Sequence, residues 1–224
     1  MARPSTPLLS RERIRDAALA LIDADGLQAF SMRRLATTLG VTAPSLYSHY
    51  ATREQVLDDV VDLVVADVDT TAFARGWRTG VLTWARSYRA ALAAHPHIAP
   101  LVASGAQHRE QFLAMADAVH AGLLAAGWPA RRATEISGAV KFLVIGAACT
   151  PFAAGFSDDP TTYQQRYPHL DQAHRLREQA HRIDHDAFEL AIQSLVKGLE
   201  PGPQPTDAPP VRAGSRRQPA PAPR

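Results

Sequence analysis

The residues best suited to chemistry lie in one segment, Ser31 to Tyr50, which reads S-M-R-R-L-A-T-T-L-G-V-T-A-P-S-L-Y-S-H-Y. Its hydroxyl, imidazole and guanidinium groups donate hydrogen bonds, and its small residues let a backbone approach a polyanion closely. Such donors bind phosphate oxygens, and side chains on a short exposed helix reach base edges in a DNA major groove. The candidate contacts are Arg33, Arg34, Thr42, Ala43, Pro44, Ser45, Tyr47, His49 and, just beyond the segment, Arg53.

Two short helices must position these donors. They join at Gly40-Val41, and a glycine at the turn adopts a backbone conformation that is costly for other residues. The inward face is apolar and consists of Leu35, Ala36, Leu39, Val41 and Leu46. The pattern predicts a helix-turn-helix whose second helix, from Thr42 to about His49, is exposed. The alternative is a packed helical hairpin whose polar faces are merely solvated.

The rest of the chain also has helical periodicity. Ser10 is a candidate N-cap for a helix over 11–25, and Thr52-Arg53-Glu54-Gln55 is a capping box that opens a longer helix to about Val68. Later helices are predicted at 74–94, 98–104, 107–126, 130–149, 170–181 and 184–199. The predicted fold is all-α, with an N-terminal three-helix domain and a larger helical domain.

Composition excludes several classes of protein. The 224 residues include one Cys, so no disulfide framework exists, and no apolar run is long enough to span a membrane. No nucleophile elbow, phosphate loop, dinucleotide fingerprint or zinc-protease motif occurs, so neither an enzyme nor a cofactor is predicted. His181 and His185 have metal-ligand spacing but lack a third ligand, so no metal site is predicted. We expect a cytoplasmic protein without a membrane partner.

The charge distribution and the proline content divide the chain into four parts. Residues 1–55 carry seven Arg against five acids, whereas the body is slightly acidic, so a polyanion is expected at the N-terminal part only. The predicted parts are a disordered arm at 1–9, a DNA-binding domain at 10–56, a ligand-binding and dimerisation domain at 57–200 and a disordered, Pro/Arg-rich tail at 201–224.

The pattern R-x-L-A-x-x-L-G-V-x-x-x-x-L-Y-x-H-Y, which begins at Arg33, resembles the TetR family of bacterial transcriptional regulators. The preceding Asp25-Gly26-Leu27 and the following R-E-x-V-L from Arg53 fit the same family. R-S-Y-R-A-A-L from Arg86, A-A-G-W from Ala125 and the closing Phe188–Glu200 resemble the tetracycline-repressor branch. The resemblance implies a ligand-responsive, homodimeric repressor that binds double-stranded operator DNA.

The branch resemblance implies a four-helix dimer interface between the helices near 130–149 and 184–199 and their copies. Small and apolar residues on these helices allow it. The predicted interface residues are Gly138, Ile145, Gly146, Ile192, Leu195 and Leu199, with Phe142 and Cys149 on the same side of the first helix. The alternative is that the second stripe is buried inside one subunit.

The resemblance also implies a ligand cavity. Aligned on the motifs above, the ligand-contacting positions of the branch fall on Asp69, Trp84, Tyr88, Val102, Val119 and Phe142, and periodicity adds Trp77, Phe112 and Met115 to the candidate walls. Val102 stands where the branch has a metal-binding imidazole, and valine cannot ligate a metal, so neither magnesium nor tetracycline is carried over. We expect a small, largely apolar effector. The alternatives are a helical small-molecule-binding protein or enzyme with a non-functional helix-turn-helix segment, and a DNA-binding architectural protein without an effector.

Overall fold

The computed structural model describes residues 9–104, 109–163 and 166–199, and within these ranges the chain forms helices and no strand. This confirms the all-α prediction. The α-helices are α1 (Arg11–Asp25), α2 (Met32–Leu39), α3 (Ala43–Tyr47), α4 (Arg53–Ala66), α5 (Trp77–Ala94), α6 (Ala99–Ala103), α7 (Glu110–Ala125), α8 (Ala130–Cys149) and α9 (Ala180–Gly198). The predicted arm, apart from Leu9, and the predicted tail lie outside the described residues.

Helices α1 to α3 form a small N-terminal unit, which we call the head. Ser10 caps α1 as predicted, because its Oγ accepts a hydrogen bond from the Arg13 backbone N–H at 3.2 Å. The turn between α2 and α3 passes through Gly40 at φ 68°, a left-handed conformation that favours glycine. The head core contains Ile14, Leu35 and Leu46, each fully buried.

Helix α4 connects the head to the body. Thr52 Oγ1 accepts from the Gln55 N–H at 3.2 Å, and the Gln55 side chain accepts from the Ala51 N–H at 2.8 Å, so the predicted capping box forms with its return bond one residue earlier. The helix contacts α1 on one side and α7 on the other. Its buried residues are Val56, Leu57, Val60, Val61, Val64 and Val65. The predicted domain boundary at 56/57 therefore falls inside a continuous helix, and the division stays a prediction.

Helices α5 to α9 form the body. Helix α5 packs against α7, α8 and α9. The Phe73 ring, from the 3-10 segment before α5, sits where two glycines face each other, and a Cβ atom on Gly80 or Gly122 would collide with it. The absence of two side chains thus lets α5 and α7 approach each other closely around one aromatic ring.

The region before α9 differs from the prediction. The expected helix at 170–181 is instead a pair of 3-10 turns, Ala173–Arg175 and Arg177–Gln179, and α9 begins at Ala180 rather than near 184. Asp184, which resembles an N-cap in the sequence, instead accepts hydrogen bonds from the backbone N–H groups of Phe152 and Ala153 at 3.0 and 3.2 Å. A long-range contact therefore uses the carboxylate that local sequence assigned to a helix start.

Candidate nucleic-acid interface and buried cavity

Helix α3 presents a polar outer face on a buried anchor. Leu46 is fully buried, whereas its neighbour Tyr47 is 51% exposed, and Thr42 and Pro44 are exposed at the start of the helix. Thr42 Oγ1 and Ser45 Oγ lie 2.8 Å apart, so these hydroxyls are held together on the outer side. Ala43, Ser45 and His49 are half-buried. Tyr47 and His49 are thus not sealed in the interior, as a packed hairpin would have required.

The three arginines near α3 have different surroundings. Arg33 is exposed on α2. Arg34 pairs with Asp25 at 2.6 Å, which ties α2 to the end of α1. The Arg53 guanidinium lies over the Phe30 ring, 5.3 Å from its centroid, and 3.9 Å from the Glu54 carboxylate. Arg33 is therefore the arginine on this surface with the most freedom to meet a phosphate.

A buried polar cluster behind α3 holds the head against α4. The Tyr50 hydroxyl lies 2.7 Å from Asp59 Oδ2 and 3.2 Å from the Arg11 carbonyl oxygen, either of which can accept its proton. The Arg11 guanidinium donates to Asp59 at 3.0 Å and to the His49 carbonyl oxygen at 3.2 Å, and it stacks on the Tyr50 ring. Burial, followed by the Asp59 contact, raises the pKa of the Tyr50 hydroxyl, so it stays protonated and donates. The cluster fixes where α3 lies relative to α4.

The body contains a cavity of about 250 Å³ between α5, α7 and α8. Its lining is mostly apolar, with few polar groups, as in small-molecule sites. The lining residues are Trp84, Tyr88, Phe112, Met115, Ala116, Val119, Thr134, Ser137, Gly138 and Lys141. Four of the seven ligand-contact residues predicted from sequence are therefore brought together here: Trp84, Tyr88, Met115 and Val119.

Two polar atoms of the cavity lining lack a hydrogen-bond partner among the described residues. They are the Trp84 indole Nε1 and the Tyr88 hydroxyl, on neighbouring turns of α5, with stacked rings whose centroids are 6.4 Å apart. Burial raises the pKa of Tyr88, while the nearby Arg109 charge opposes this shift, so the phenol is neutral at ordinary pH. Buried donors without partners are uncommon in folded proteins and call for a specific explanation.

Three predicted ligand contacts lie elsewhere. Asp69 Oδ1 accepts from the backbone N–H and the hydroxyl of Thr71, at 2.8 and 2.7 Å, which holds a local turn and lowers the pKa of the carboxyl. Val102 is fully buried on α6 but does not line the cavity. Phe142 is 78% exposed on the outer side of α8. Its neighbour Lys141 lines the cavity instead, because adjacent helix residues differ by 100° in direction.

Two predicted dimer-interface residues on α9 are also wrongly assigned, because the subunit itself covers them. Ile192 is fully buried and Leu199 nearly so, which matches the alternative that this stripe packs inside one subunit. Leu195 and Ile145 are half-buried, and Gly146 borders an apolar groove between α8 and α9. Gly138 lines the cavity. The large apolar residues that remain exposed on and beside α8 and α9 are Phe142, Phe152 and Leu190.

Periodicity had already suggested Phe112 as a cavity wall, but Lys141, Thr134 and Ser137 were missed. Lys141 carried a signal, since it is one of only two lysines in a chain with 24 Lys and Arg residues, and it interrupts an apolar stretch. His181 and His185 both lie on α9, and the described ranges hold no group of three or more His, Cys, Asp or Glu side chains arranged to bind a metal ion. Across the same ranges, no helix is both long and apolar enough to cross a bilayer.

Comparison with known families assigns both parts of this arrangement. Residues 14–60 match the model of bacterial regulatory proteins of the tetR family, and residues 73–201 match that of the tetracyclin repressor-like C-terminal domain. The chain belongs to the TetR family. It is therefore a helix-turn-helix, DNA-binding transcriptional regulator, and both resemblances drawn from its motifs are confirmed.

Relatives of the TetR family support this assignment over most of the chain. An HTH-type transcriptional regulator of Saccharopolyspora erythraea is 32% identical over 165 residues, which cover 73% of this chain and 70% of the relative. The class D tetracycline repressor of Escherichia coli is 28% identical over 204 residues, covering 86% and 89%. The structure is similar to that of the TetR family protein ActR of Streptomyces coelicolor in complex with actinorhodin, with a TM-score of 0.65, 26% identity and coverage of 86% and 97%.

Proposed function

We propose that this TetR-family regulator is a homodimeric repressor that binds operator DNA through α3 and releases it when a small molecule occupies the cavity between α5, α7 and α8. Each head enters a major groove, and the two half-sites lie roughly 34–36 Å apart, about one helical turn of DNA. As a regulator of a bacterial chromosome, it acts in the cytoplasm.

The observation that carries the DNA-binding role is the contrast between Leu46 and Tyr47. One anchors α3 in the head core, and the other is 51% exposed beside Thr42 and Pro44. A buried anchor with small and hydroxyl-bearing residues facing outwards suits a helix that must lie close to base edges. Arg33 on α2 supplies a phosphate contact that sets the register.

The exposed apolar side chains of the body support the homodimer. Phe142, Phe152 and Leu190 stay in water in the isolated subunit, and large exposed apolar surfaces mark protein contacts. Because the same patch exists on each copy, a two-fold arrangement buries both at once. We expect Leu190→Asp to yield monomers in analytical ultracentrifugation, while Leu113→Asp, at an exposed leucine of α7, leaves the dimer intact. Dimers of both variants at equal concentration would contradict this interface.

Helix α4 connects the cavity to the head. Arg109, which precedes α7 and is 6% exposed, donates from Nε to Asp58 of α4 at 2.8 Å and from Nη1 to the Leu101 carbonyl oxygen of α6 at 3.2 Å. The Phe112 backbone N–H, at a cavity-lining residue, donates to Asp62 of α4 at 3.3 Å. A ligand that shifts α7 therefore acts on α4, and operator affinity falls by the ligand's preference for the shifted conformation.

We also infer that the cavity binds its ligand without transforming it. The one imidazole near a cavity hydroxyl is His120, whose Nε2 lies 3.3 Å from Thr134 Oγ1 within the described lining. That hydroxyl is 3.1 Å from the Ala130 carbonyl oxygen, to which it donates as helix threonines commonly do. It is therefore not poised as a nucleophile.

A gel shift with the DNA upstream of the chain's own reading frame tests the DNA-binding role. We expect Tyr47→Ala and Arg33→Ala each to lower the affinity about ten-fold, and Arg33→Ala also to reduce the slope of log K against log salt by about one. Arg131→Ala, at an exposed arginine of α8, is the control with the same charge change. If all three variants bound like the wild type, α3 would not be the reading helix.

A further inference from the structure

The polar groups of the cavity have one character in common, since those still available donate hydrogen bonds. The Trp84 indole N–H and the Tyr88 hydroxyl are unpaired in the described structure, and Trp84 Nε1 can only donate. The ammonium group of Lys141 carries three donors and lies 5.4 Å from the centroid of the Phe112 ring. Lys141 forms no ion pair within the described part of the chain.

The remaining polar groups of the lining do not change this balance. The Ser137 hydroxyl donates to the Ala133 carbonyl oxygen at 2.8 Å, and the Thr134 hydroxyl donates to the Ala130 carbonyl oxygen. The described lining contains no Asp or Glu, and Asp69, the acid that the sequence suggested, is committed to its own turn. A cationic ligand would therefore leave Lys141 facing a like charge, and a ligand without acceptors would leave Trp84 and Tyr88 unpaired.

The size and the walls of the cavity restrict the ligand further. A cavity of about 150 Å³ holds one benzene ring, so about 250 Å³ suits a molecule of about two rings. The near-parallel Trp84 and Tyr88 rings, at an interplanar angle of 24°, and the Phe112 ring favour a flat aromatic body.

We propose that the effector is a flat aromatic anion of about two rings, whose carboxylate or phenolate oxygens accept hydrogen bonds from Trp84 and Tyr88 and pair with Lys141. This inference rests on the proposed function only in calling the ligand an effector. The binding preference itself follows from the donor-only lining, and it is testable without DNA.

Isothermal titration calorimetry with three probes of one shape tests the charge preference. 2-Naphthoate, 2-naphthamide and 2-naphthylmethylamine share a two-ring body and differ in charge. We expect the full-length chain to bind naphthoate with one site per subunit and at least ten-fold more tightly than the amide, with the amine weakest. Equal affinities, a preference for the amine or no binding of any probe would overturn the proposal.

Two substitutions locate the preference in the cavity. We expect Lys141→Met to reduce the naphthoate-to-naphthamide affinity ratio to about one, while Lys197→Met, at the chain's other lysine, exposed on α9, leaves the ratio unchanged. Tyr88→Phe is expected to weaken both probes several-fold and to retain the ratio in part. An unchanged ratio in Lys141→Met would refute the role of Lys141, and circular dichroism verifies that each variant is folded.

The two proposals fail separately. If the chain shifts its upstream DNA but the probes follow another order, the anionic ligand class is wrong and the regulator stands. If naphthoate binds in the expected order but no operator is bound, the ligand class stands and the proposed repressor function is wrong.

Discussion

Two tyrosines, one in the head and one in the body, are equally buried but differently paired. Tyr50 and Tyr88 are each 1% exposed. The Tyr50 hydroxyl lies within hydrogen-bond distance of Asp59 and the Arg11 carbonyl oxygen, whereas the Tyr88 hydroxyl has no partner among the described residues. The head thus satisfies its buried polar groups internally, and the cavity leaves some of its own unsatisfied.

This difference follows from what each region must do. A head that reads DNA needs one fixed arrangement of α3, and satisfied polar clusters make such an arrangement rigid. A cavity that recognises a ligand needs donors that stay available, although each buried, unpaired group costs about 1–3 kcal/mol. Functional sites commonly retain such costs because the lost stability is recovered when the ligand binds.

The largest expected difference between the regions concerns packing. Leu46→Ala removes a fully buried side chain from the closely packed head, so we expect a loss of about 2–5 kcal/mol of unfolding free energy. Met115→Ala enlarges a cavity that already exists, so its loss should lie at or below the lower end of that range. Urea unfolding followed by circular dichroism compares the two variants, and equal losses would argue against a more tightly packed head.

The connection between the regions gives the next largest effect. Asp58→Asn leaves the buried Arg109 guanidinium without its carboxylate, and because Asp58 is partly exposed we expect a loss of about 1–3 kcal/mol. If Arg109 carries the signal to α4, this variant should still bind its ligand but release the operator less completely, which a ligand titration of the gel shift measures. Asp16→Asn, at an exposed acid of α1 whose ion pair is with its neighbour Arg15, is the control. Normal release by Asp58→Asn would remove the salt bridge from the coupling route.

The paired tyrosines give effects of opposite sign. Tyr50→Phe deletes the hydroxyl that contacts Asp59, and we expect it to lower the unfolding free energy by about 1–2 kcal/mol. Tyr88→Phe deletes an unpaired buried hydroxyl, and we expect it to raise the unfolding free energy by up to about 1 kcal/mol while weakening ligand binding. Thermal melts of the two variants measure the difference, and destabilisation of similar size in both would show that the Tyr88 hydroxyl is satisfied in solution.

The smallest expected effect is a pH dependence in the body. Arg86 of α5 donates from Nε and Nη2 to the Glu189 carboxylate of α9 at 2.8 and 2.6 Å, which lowers the pKa of Glu189 from 4.5 to about 2. A depressed carboxyl pKa stabilises the fold above pH 4.5, and this contribution disappears as the pH falls from 4.5 towards 2. Because the Arg86 side chain is partly exposed, we expect less than about 1 kcal/mol. Glu189→Gln should therefore show a shallower loss of stability over this pH range than the wild type, and parallel acid-unfolding curves would contradict the pair's contribution.

Most of the head was predictable from sequence, because its signals are local. Ser10 and Thr52 cap their helices as expected, and Gly40 makes the turn between α2 and α3. The inward residues of Ser31–Tyr50 follow from helical spacing within a few residues. What sequence did not show is that Arg34 pairs with Asp25, since nothing local distinguishes it from the free Arg33.

The body was predictable only in part. Trp84, Tyr88, Met115 and Val119 were expected to line one cavity, and they do. Phe142 and Lys141 exchanged their expected places because α8 carries apolar residues on more than one face, and periodicity does not say which face meets the cavity. Asp184 was assigned to a helix start for the same reason, since its true contacts with Phe152 and Ala153 are distant in sequence.

The amino-acid sequence by itself determined the helices, the turn at Gly40 and the polar face of α3, because caps, glycine conformations and i to i+4 spacing act over a few residues. Tertiary structure alone decided which apolar stripe of α9 is covered, with Ile192 inside the subunit and Leu190 71% exposed. It also decided that Trp84 and Tyr88 line the cavity with no partner for their polar atoms in the described structure. An amphipathic pattern specifies that a face is apolar, but only the packing of distant helices determines what covers that face and which donors are left unpaired.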